Sequence, residues 1–261
     1  MTKITAGLIL TLIIYSFSSA QNTLIQKVGP GDMDWGKYKI SVIGIGAKGS
    51  SSKGSLADAR KDAIQKLYET VLNLKSDCHT SVKDRLNKSQ LKKLENLVSK
   101  EFKMVDKQRY NPAGDCEIEV ELALPGKIFD LIFPPSGANL KEQYNQNLPS
   151  LPQEAYTGLI IDASGLKVTL NLTPKIVNPQ GEEIYGISWL ERSWANTWGI
   201  VQYATSNSDF LRAGDKPQYV KALKIAEDGC SIVVSIDNLP KVLSTENLLA
   251  LSHAKVILLV D

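Results

Sequence analysis

Residues 116–124, Cys-Glu-Ile-Glu-Val-Glu-Leu-Ala-Leu, give the strongest indication of fold in this chain. Apolar side chains stand at every second position of this stretch, and three glutamates stand between them. Successive side chains of a strand point to opposite faces, so this alternation is typical of a strand with one buried face. The stretch therefore predicts a half-buried β-strand.

A hairpin is predicted immediately before that strand. Residues 102–110 also have strand character, and Asn111-Pro-Ala-Gly-Asp115 has the composition of a turn. One register, with Tyr110 opposite Cys116, matches both faces of the hairpin. It gives these pairs: Arg109 with Glu117, Lys107 with Glu119, Met104 with Leu122, and Phe102 with Leu124. Asp106 falls on the inner face and does not fit this scheme.

A strand and two helices are predicted ahead of the hairpin. Residues 39–47 are rich in β-branched side chains, and a Ser/Gly loop follows them. We expect Ser55 to cap a helix that runs to about Lys75, because apolar residues recur along it at intervals of three and four. These residues are Ile64, Leu67, Val71 and Leu74. A second helix is predicted around Leu91–Val98, with Ser89 as its cap.

The later part of the chain predicts more strands than helices. Strand patterns cover 156–162, 170–177, 182–185, 220–225, 231–236 and 254–260, and a short helix is predicted over 245–251. Residues 189–203 fit either a helix or a strand. Residues 134–154 are rich in Pro, Ser, Asn and Gln and have no periodicity, which is typical of a linker.

These patterns predict an α+β fold made of two small domains, each a mainly antiparallel sheet with helices packed on it. The predicted boundaries are 1–20 for a cleaved signal peptide, 21–133 for the first domain, 134–154 for the linker and 155–261 for the second domain.

Residues 1–20 predict export from the cytoplasm. Lys3 gives a positive start, an apolar run extends from Ala6 to Phe17, and Ser18-Ser-Ala20 forms a small-residue cleavage site. The apolar run is shorter than the ~20 residues that span a bilayer. The residue directly after Ala20 is Gln21 and not a cysteine, so we expect no lipid anchor there. We predict a periplasmic or secreted location, with no membrane span in the mature chain.

Composition narrows the function classes. The formal net charge of +2 falls to about +1 when Lys3 is removed, which does not indicate a nucleic-acid-binding protein. The chain has three cysteines, and an exported chain can form one disulfide from them. Cys78 and Cys116 are the pair that we expect to be bridged, and the alternative is that all three cysteines are buried thiols.

The motifs of enzymes and cofactor sites are weak in this chain. Gly44-x-Gly46-x-x-Gly49 has the spacing of a dinucleotide fingerprint, but the predicted elements after it do not form that unit. We interpret these glycines as allowing close packing at the end of the strand. We therefore predict no catalytic residues, no cofactor and no metal ion, and no enzymatic activity.

For three features that contain acidic residues or histidine, we favour a structural or surface role over a catalytic or ligand-binding one. Glu117, Glu119 and Glu121 are interpreted as a solvated charge ladder rather than a catalytic pair. Asp162, which ends a strand before Ala-Ser-Gly, is interpreted as a turn cap rather than a ligand-binding carboxylate. His79 lies beside Cys78 and is interpreted as a surface residue.

One group of aromatic residues is a candidate partner-binding patch. Trp189, Trp194 and Trp198 lie within ten residues, with Arg192 among them. Tryptophan and arginine are enriched where protein partners bind. The alternative, which we favour for the tryptophans, is that they pack in the core.

A family resemblance follows from the stretch Tyr156-Thr-Gly-Leu-Ile-Ile-Asp-Ala-Ser-Gly-Leu-Lys-Val-Thr-Leu-Asn-Leu-Thr-Pro-Lys-Ile-Val-Asn-Pro-Gln-Gly-Glu-Glu-Ile-Tyr-Gly186. Together with Gly214-Asp-Lys-Pro217 and the terminal Val256–Asp261, it resembles bacterial exported proteins of the FlgT-like (flagellar H-ring assembly) and LPP-type lipoprotein families. The resemblance implies a place in the bacterial envelope and a role in envelope or flagellar assembly.

We therefore expect an exported, non-enzymatic protein that binds other envelope or flagellar proteins and no nucleic acid, with its oligomeric state left open. The alternative is a periplasmic ligand-binding protein or hydrolase with a site near Asp162 and Arg192.

Overall fold

A computed structural model describes residues 24–49, 52–134, 156–206, 208–235 and 245–261. Within these residues the chain forms two β-sheets with helices packed against them, so the predicted α+β class is confirmed. The predicted signal peptide and all of the predicted linker except Pro134 lie outside the described residues.

The first half of the chain, residues 24–134, contains six described strands and four described helices. The strands are β1 (Ile25–Val28), β2 (Gly31–Asp34), β3 (Lys39–Gly46), β4 (Lys103–Met104), β5 (Arg109–Tyr110) and β6 (Cys116–Ala123). The helices are α1 (Ser52–Asn73), α2 (Val82–Arg85), α3 (Lys88–Glu101) and α4 (Lys127–Ile132). All strand pairs in this sheet are antiparallel, in the order β1-β2-β3-β6-β4, with β5 also paired to β6.

Helix α1 packs on the inner face of the β3–β6 pair. Cβ atoms added at Gly44 and Gly46 would overlap the backbone of α1 at Ala59 and Ser55, so the helix can lie this close only because the strand has no side chains there. The interpretation of these glycines as packing residues is confirmed. The predicted alternation in β6 is also confirmed, since its apolar side chains are buried and its glutamates are partly exposed.

The predicted hairpin register is confirmed at one end and wrong at the other. Arg109 pairs with Glu117 and Tyr110 with Cys116, but Met104 lies opposite Val120 rather than Leu122. The strand bulges by two residues between Val105 and Arg109. The bulge leaves Asp106 exposed, so a carboxylate that a regular hairpin would bury stays in water.

The helix starts differ from those predicted. Helix α1 begins at Ser52, and the hydroxyl of Ser55 lies inside it, where it accepts the N–H of Gly49. Helix α3 is capped by Asn87 rather than Ser89, through a capping box with Gln90.

The second half, residues 156–261, contains seven described strands and two described α-helices. The strands are β7 (Gly158–Asp162), β8 (Ile176–Val177), β9 (Glu183–Tyr185), β10 (Gln202–Ala204), β11 (Pro217–Ile225), β12 (Ile232–Val234) and β13 (Val256–Leu259). The helices are α5 (Arg192–Trp198) and α6 (Thr245–Ser252), with short 3₁₀ turns at Ile187–Trp189 and Leu211–Ala213.

The second sheet mixes parallel and antiparallel pairs, in the order β10-β13-β7-β11-β12-β8-β9. Antiparallel pairs join β11 to β12 and β8 to β9, whereas β7 is parallel to both β13 and β11. Parallel neighbours need long crossover connections, and the segments between these strands supply them. Strand β13 is buried along its whole length, as expected of a central parallel strand.

The two halves share one hydrophobic core. A continuous cluster of buried apolar side chains includes residues of both sheets, and the Trp35 ring meets the Tyr203 ring edge-on at 5.6 Å. Backbone contacts also cross, since Leu172 donates its N–H to the carbonyl of Lys75 at 2.9 Å. The halves are therefore packed as one unit in the described chain. Within the described residues no helix combines the length and the apolar character that crossing a bilayer requires.

Candidate functional site

The disulfide joins Cys78 to Cys230, so the predicted Cys78–Cys116 bridge is wrong. The two Cα atoms lie 5.7 Å apart although 152 positions separate the residues. Cys116 is a buried free thiol on the inner face of β6. The bridge therefore links the loop after α1, in the first half, to the turn between β11 and β12, in the second half.

Two aspartates hold the loops that carry this bridge. Asp77 accepts the N–H groups of His79 and Thr80 at 3.0 and 2.8 Å. Burial opposes its ionisation, but these hydrogen bonds outweigh burial and lower the pKa of the Asp77 carboxyl. Asp228 accepts the N–H of Cys230 at 2.9 Å, and its pKa is lowered in the same way, against burial, by hydrogen bonds from Ser231 and Cys230.

His79 completes a small cluster at this bridge. The sulfur atoms of Cys78 and Cys230 and a ring nitrogen of His79 all lie within 4.8 Å of one another. Sequence spacing pointed to no metal site because Cys230 is far from the other two residues along the chain. Only the approach of the two halves brings the three together.

The predicted tryptophan patch divides in the structure. Trp189 is buried in the shared core, with 1% of its surface exposed, and so is not part of a surface patch. Trp194 stacks on His253 with 4.6 Å between ring centroids, whereas Trp198 is 46% exposed. Arg192 points the other way, towards the first half.

Arg192 and Asn196 bind the first half through one carboxylate. Both side chains donate to Asp130 of α4, and Arg192 also lies over the Phe129 ring. Residues 192 and 196 are one helical turn apart, so they share the face of α5 that packs on α4. The arginine of the predicted patch thus contributes to the contact between the halves.

A cavity of about 500 Å³ opens where the halves meet, and we call it the junction cavity. Its lining includes Lys37, Trp198, Gln202, Asp209, Leu211 and Arg212. Leu211 is 83% exposed and Trp198 is 46% exposed. Two large apolar side chains therefore stand in water at the rim of the cavity. Solvated apolar side chains clustered beside a cation are a feature of partner-binding surfaces.

Arg212 supports the floor of the junction cavity. Its guanidinium donates to the carbonyls of Ala254, Trp198 and Gly199 at 2.5, 2.8 and 3.0 Å, and it lies over the Trp198 ring. Those carbonyls follow or end helices α5 and α6, whose C-termini carry partial negative charge. Burial lowers the pKa of this arginine, and nearby tyrosines oppose that change.

Three tyrosines at the boundary between the halves are deeply buried, and two of them, Tyr38 and Tyr185, interact with Arg212. Burial raises the pKa of Tyr38, Tyr185 and Tyr203 above that of a free tyrosine. Tyr185 donates its hydroxyl hydrogen to the carbonyl of Ile200 at 2.6 Å, and Tyr203 bonds the backbone of Asn171. These neutral phenols belong to the packed boundary between the halves.

Asp162 and Arg192 do not form one site. Asp162 ends β7, and its carboxylate accepts the N–H of Ser164 at 3.0 Å, which confirms the interpretation as a turn cap. The position of Arg192 follows from its neighbour Glu191, which donates its N–H to the carbonyl of Ser252, just before β13. Because β13 runs parallel to β7, Arg192 lies near the end of the sheet where β7 begins, opposite Asp162.

The glutamates of β6 lie on the outer face of the first sheet, and two of them contact cations. Glu121 bonds Lys39 at 2.5 Å and Glu119 pairs with Arg109 at 3.3 Å. Glu117 accepts a hydrogen bond from Asn111 at 3.3 Å. This arrangement agrees with the predicted charge ladder, although Arg109 pairs diagonally with Glu119.

Comparison with known protein families gives a match in the second half of the chain. Residues 158–261 match the family model described as Treponema pallidum Tp0624, second domain, and this stretch contains all the described strands of the second sheet. No curated protein matches the chain. The FlgT-like and LPP-type resemblance stays a prediction, and what these findings establish is that the second half is similar to a bacterial domain seen in Tp0624.

Proposed function

We propose that this chain is an exported, non-enzymatic protein of the bacterial periplasm that binds other envelope or flagellar proteins through the junction cavity. The observation that carries the proposal is the rim of that cavity, where Trp198 and Leu211 are solvated beside the guanidinium of Arg212. Tryptophan is among the residues most enriched at the energetic centres of protein interfaces, and Leu211 beside it adds exposed apolar surface that a partner can cover.

Two further findings support the exported location, and a third supports a bacterial origin. The first residues have the pattern of a signal peptide, and the Cys78–Cys230 bridge fits an oxidising compartment. The match of residues 158–261 is to a domain of a bacterial protein. A role in envelope or flagellar assembly rests on the family resemblance and goes beyond these findings.

Partner capture with single-residue variants tests this function. We expect the tagged wild-type chain, expressed in its native host, to recover one or a few periplasmic proteins after cross-linking. Leu211→Asp places a charge at the rim without disturbing a buried side chain, so it should lower recovery by roughly tenfold or more, the loss expected at an interface anchor.

Leu223→Asp is the matched control, because Leu223 is 56% exposed on β11 and is not part of the junction cavity. Equal loss of partners in both variants, or recovery unchanged by Leu211→Asp, would contradict the assignment of this surface. A catalytic turnover by the purified chain that disappears on substitution of one polar residue would contradict the non-enzymatic role.

A further inference from the structure

The strongest unassigned chemistry in the described chain is at the bridge between the halves. Cys78, Cys230 and His79 place two sulfur atoms and one imidazole nitrogen within 4.8 Å of one another. Both cysteines are only partly buried and His79 is exposed, so solutes reach the cluster from water.

His79 is available to a ligand. Its backbone N–H is fixed by Asp77, whereas its imidazole makes no hydrogen bond within the described part of the chain. The ring therefore stands beside the two sulfurs with no hydrogen bond to break, and the Asp228 carboxylate is its charged neighbour. An imidazole and two thiolates are the donors that zinc prefers, and a tetrahedral ion accepts three such ligands with water as the fourth.

We propose that the Cys78–Cys230 bridge converts, when it is reduced, into a zinc site formed by Cys78, Cys230 and His79. A thiol reductant supplies two electrons and two protons, which break the S–S bond and give two thiols. Binding of Zn²⁺ then releases those two protons and forms two Zn–S bonds.

The geometry allows this exchange without refolding. Two thiolates on one tetrahedral zinc ion lie about 3.8 Å apart, because each Zn–S bond is about 2.3 Å long. The Cα atoms are 5.7 Å apart in the bridge. Rotation about the two Cα–Cβ bonds is enough to move the sulfurs from bonding distance to the distance found on zinc, with the backbone unchanged. Asp77 and Asp228 keep their loops in place through backbone hydrogen bonds that do not involve the sulfurs.

The consequence is a clamp with two chemical states. Cys78 and His79 belong to the first half and Cys230 to the second, so either a disulfide or a zinc ion holds the same two loops together. When a reductant breaks the disulfide, a bound zinc ion would keep the two halves joined. This inference is independent of the junction cavity and of the proposed partner.

Zinc binding by the full chain tests the proposal. The protein is reduced, freed of reductant under nitrogen, and titrated with Zn²⁺ against a chromophoric chelator, with bound metal counted by elemental analysis. We expect one zinc per reduced chain and none per oxidised chain. Failure of the reduced chain to bind zinc, or equal binding by the oxidised chain, would overturn the proposal.

Histidine variants locate the site without removing the bridge. His79→Ala leaves the disulfide and the fold intact because the side chain is exposed, and it should weaken zinc binding by at least about tenfold, since even outer-sphere partners have effects of that size. His253→Ala is the matched control, because that imidazole stacks on Trp194 away from the sulfurs. Equal weakening in both variants would place the zinc elsewhere.

Discussion

At the scale of single residues, two glycines set the distance between α1 and β3. Gly44 and Gly46 face Ala59, Ala63 and Ser55 of the helix, and a methyl group at either glycine would overlap helix backbone. Backbone atoms cannot move aside as a flexible side chain can, so the whole helix would have to shift. The close approach in turn buries Ala59 and Ala63 completely.

Gly46→Ala is therefore expected to destabilise the protein by about 1–3 kcal/mol, the usual cost of overpacking. Urea unfolding followed by circular dichroism measures the change. Ile45→Ala is the control on the same strand, since Ile45 is 46% exposed on the opposite face and should change stability by less than about 1 kcal/mol. Equal effects would mean that the close approach does not limit packing.

Asp162 makes stability depend on pH in the acid range. Its hydrogen bonds with Ser164 lower the pKa of the carboxyl in the folded chain, and Lys221 adds to this effect. A carboxyl with a lowered pKa stabilises the fold above its unfolded pKa of about 3.9, and this contribution disappears as the pH falls through the folded pKa.

Asp162→Asn keeps an oxygen for the turn but removes the charge. We expect it to lower the free energy of unfolding at pH 7, and the difference from wild type should shrink as the pH falls below about 4. Ser164→Ala should show the same trend because it removes the hydroxyl donor. Urea unfolding at several pH values checks this, and a difference that is constant with pH would refute it.

At the scale of elements, the start of α3 shows how one side chain fixes a helix boundary. Asn87 accepts the N–H of Gln90, and the Gln90 side chain accepts the N–H of Asn87, each at 3.0 Å. Asparagine, at position 87, and serine, at position 89, are both preferred N-cap residues, so residue type alone does not choose between them. The reciprocal bond from Gln90, three residues after Asn87, favours the earlier position.

Asn87→Ala should therefore cost about 1 kcal/mol of stability. Ser89→Ala, in the exposed first turn of the same helix, should be nearly neutral because Asn87 performs the capping. Thermal unfolding of the two variants separates the alternatives. A larger loss for Ser89→Ala would show that the helix starts where the sequence first predicted.

The hairpin shows a limit of pattern reasoning at this scale. Alternation predicts which residues of β6 are buried, because burial on one face needs a period of two. It does not predict the two-residue bulge before Arg109, since extra residues change the register without changing the composition of either strand. The misfit of Asp106 was the available sign of that bulge.

At the scale of the whole molecule, contacts between the halves are numerous and of several kinds. A shared apolar core, the Arg192–Asp130 pair and the Cys78–Cys230 bridge all cross the boundary. The bridge closes a loop of 152 positions, and in the chain-entropy account a loop of that length is worth up to about 5 kcal/mol.

Reduction should therefore lower the free energy of unfolding by up to about 5 kcal/mol when a chelator removes zinc. Urea unfolding with and without reductant measures this loss. The Cys78→Ser/Cys230→Ser variant is the control, because it should have the lower stability already and show no further response to reductant. If reductant lowered the stability of that variant by the same amount, the loss would have to come from a group other than the Cys78–Cys230 bridge.

The sequence by itself determined which faces of several local elements are buried. Alternation in 116–124, the helical stripe before Leu74 and the packing role of Gly44 and Gly46 depend on neighbours within one or two elements, and the structure confirms them. The α+β class follows from the same patterns.

Only the tertiary structure decided the pairing of Cys78 with Cys230, the burial of Trp189, the parallel pairs of the second sheet and the junction cavity. Each depends on which distant segments meet. Burial of a core shared by both halves decides which segments meet. Because the hydrophobic effect is non-directional, an apolar pattern in the sequence does not specify which distant segment it packs against.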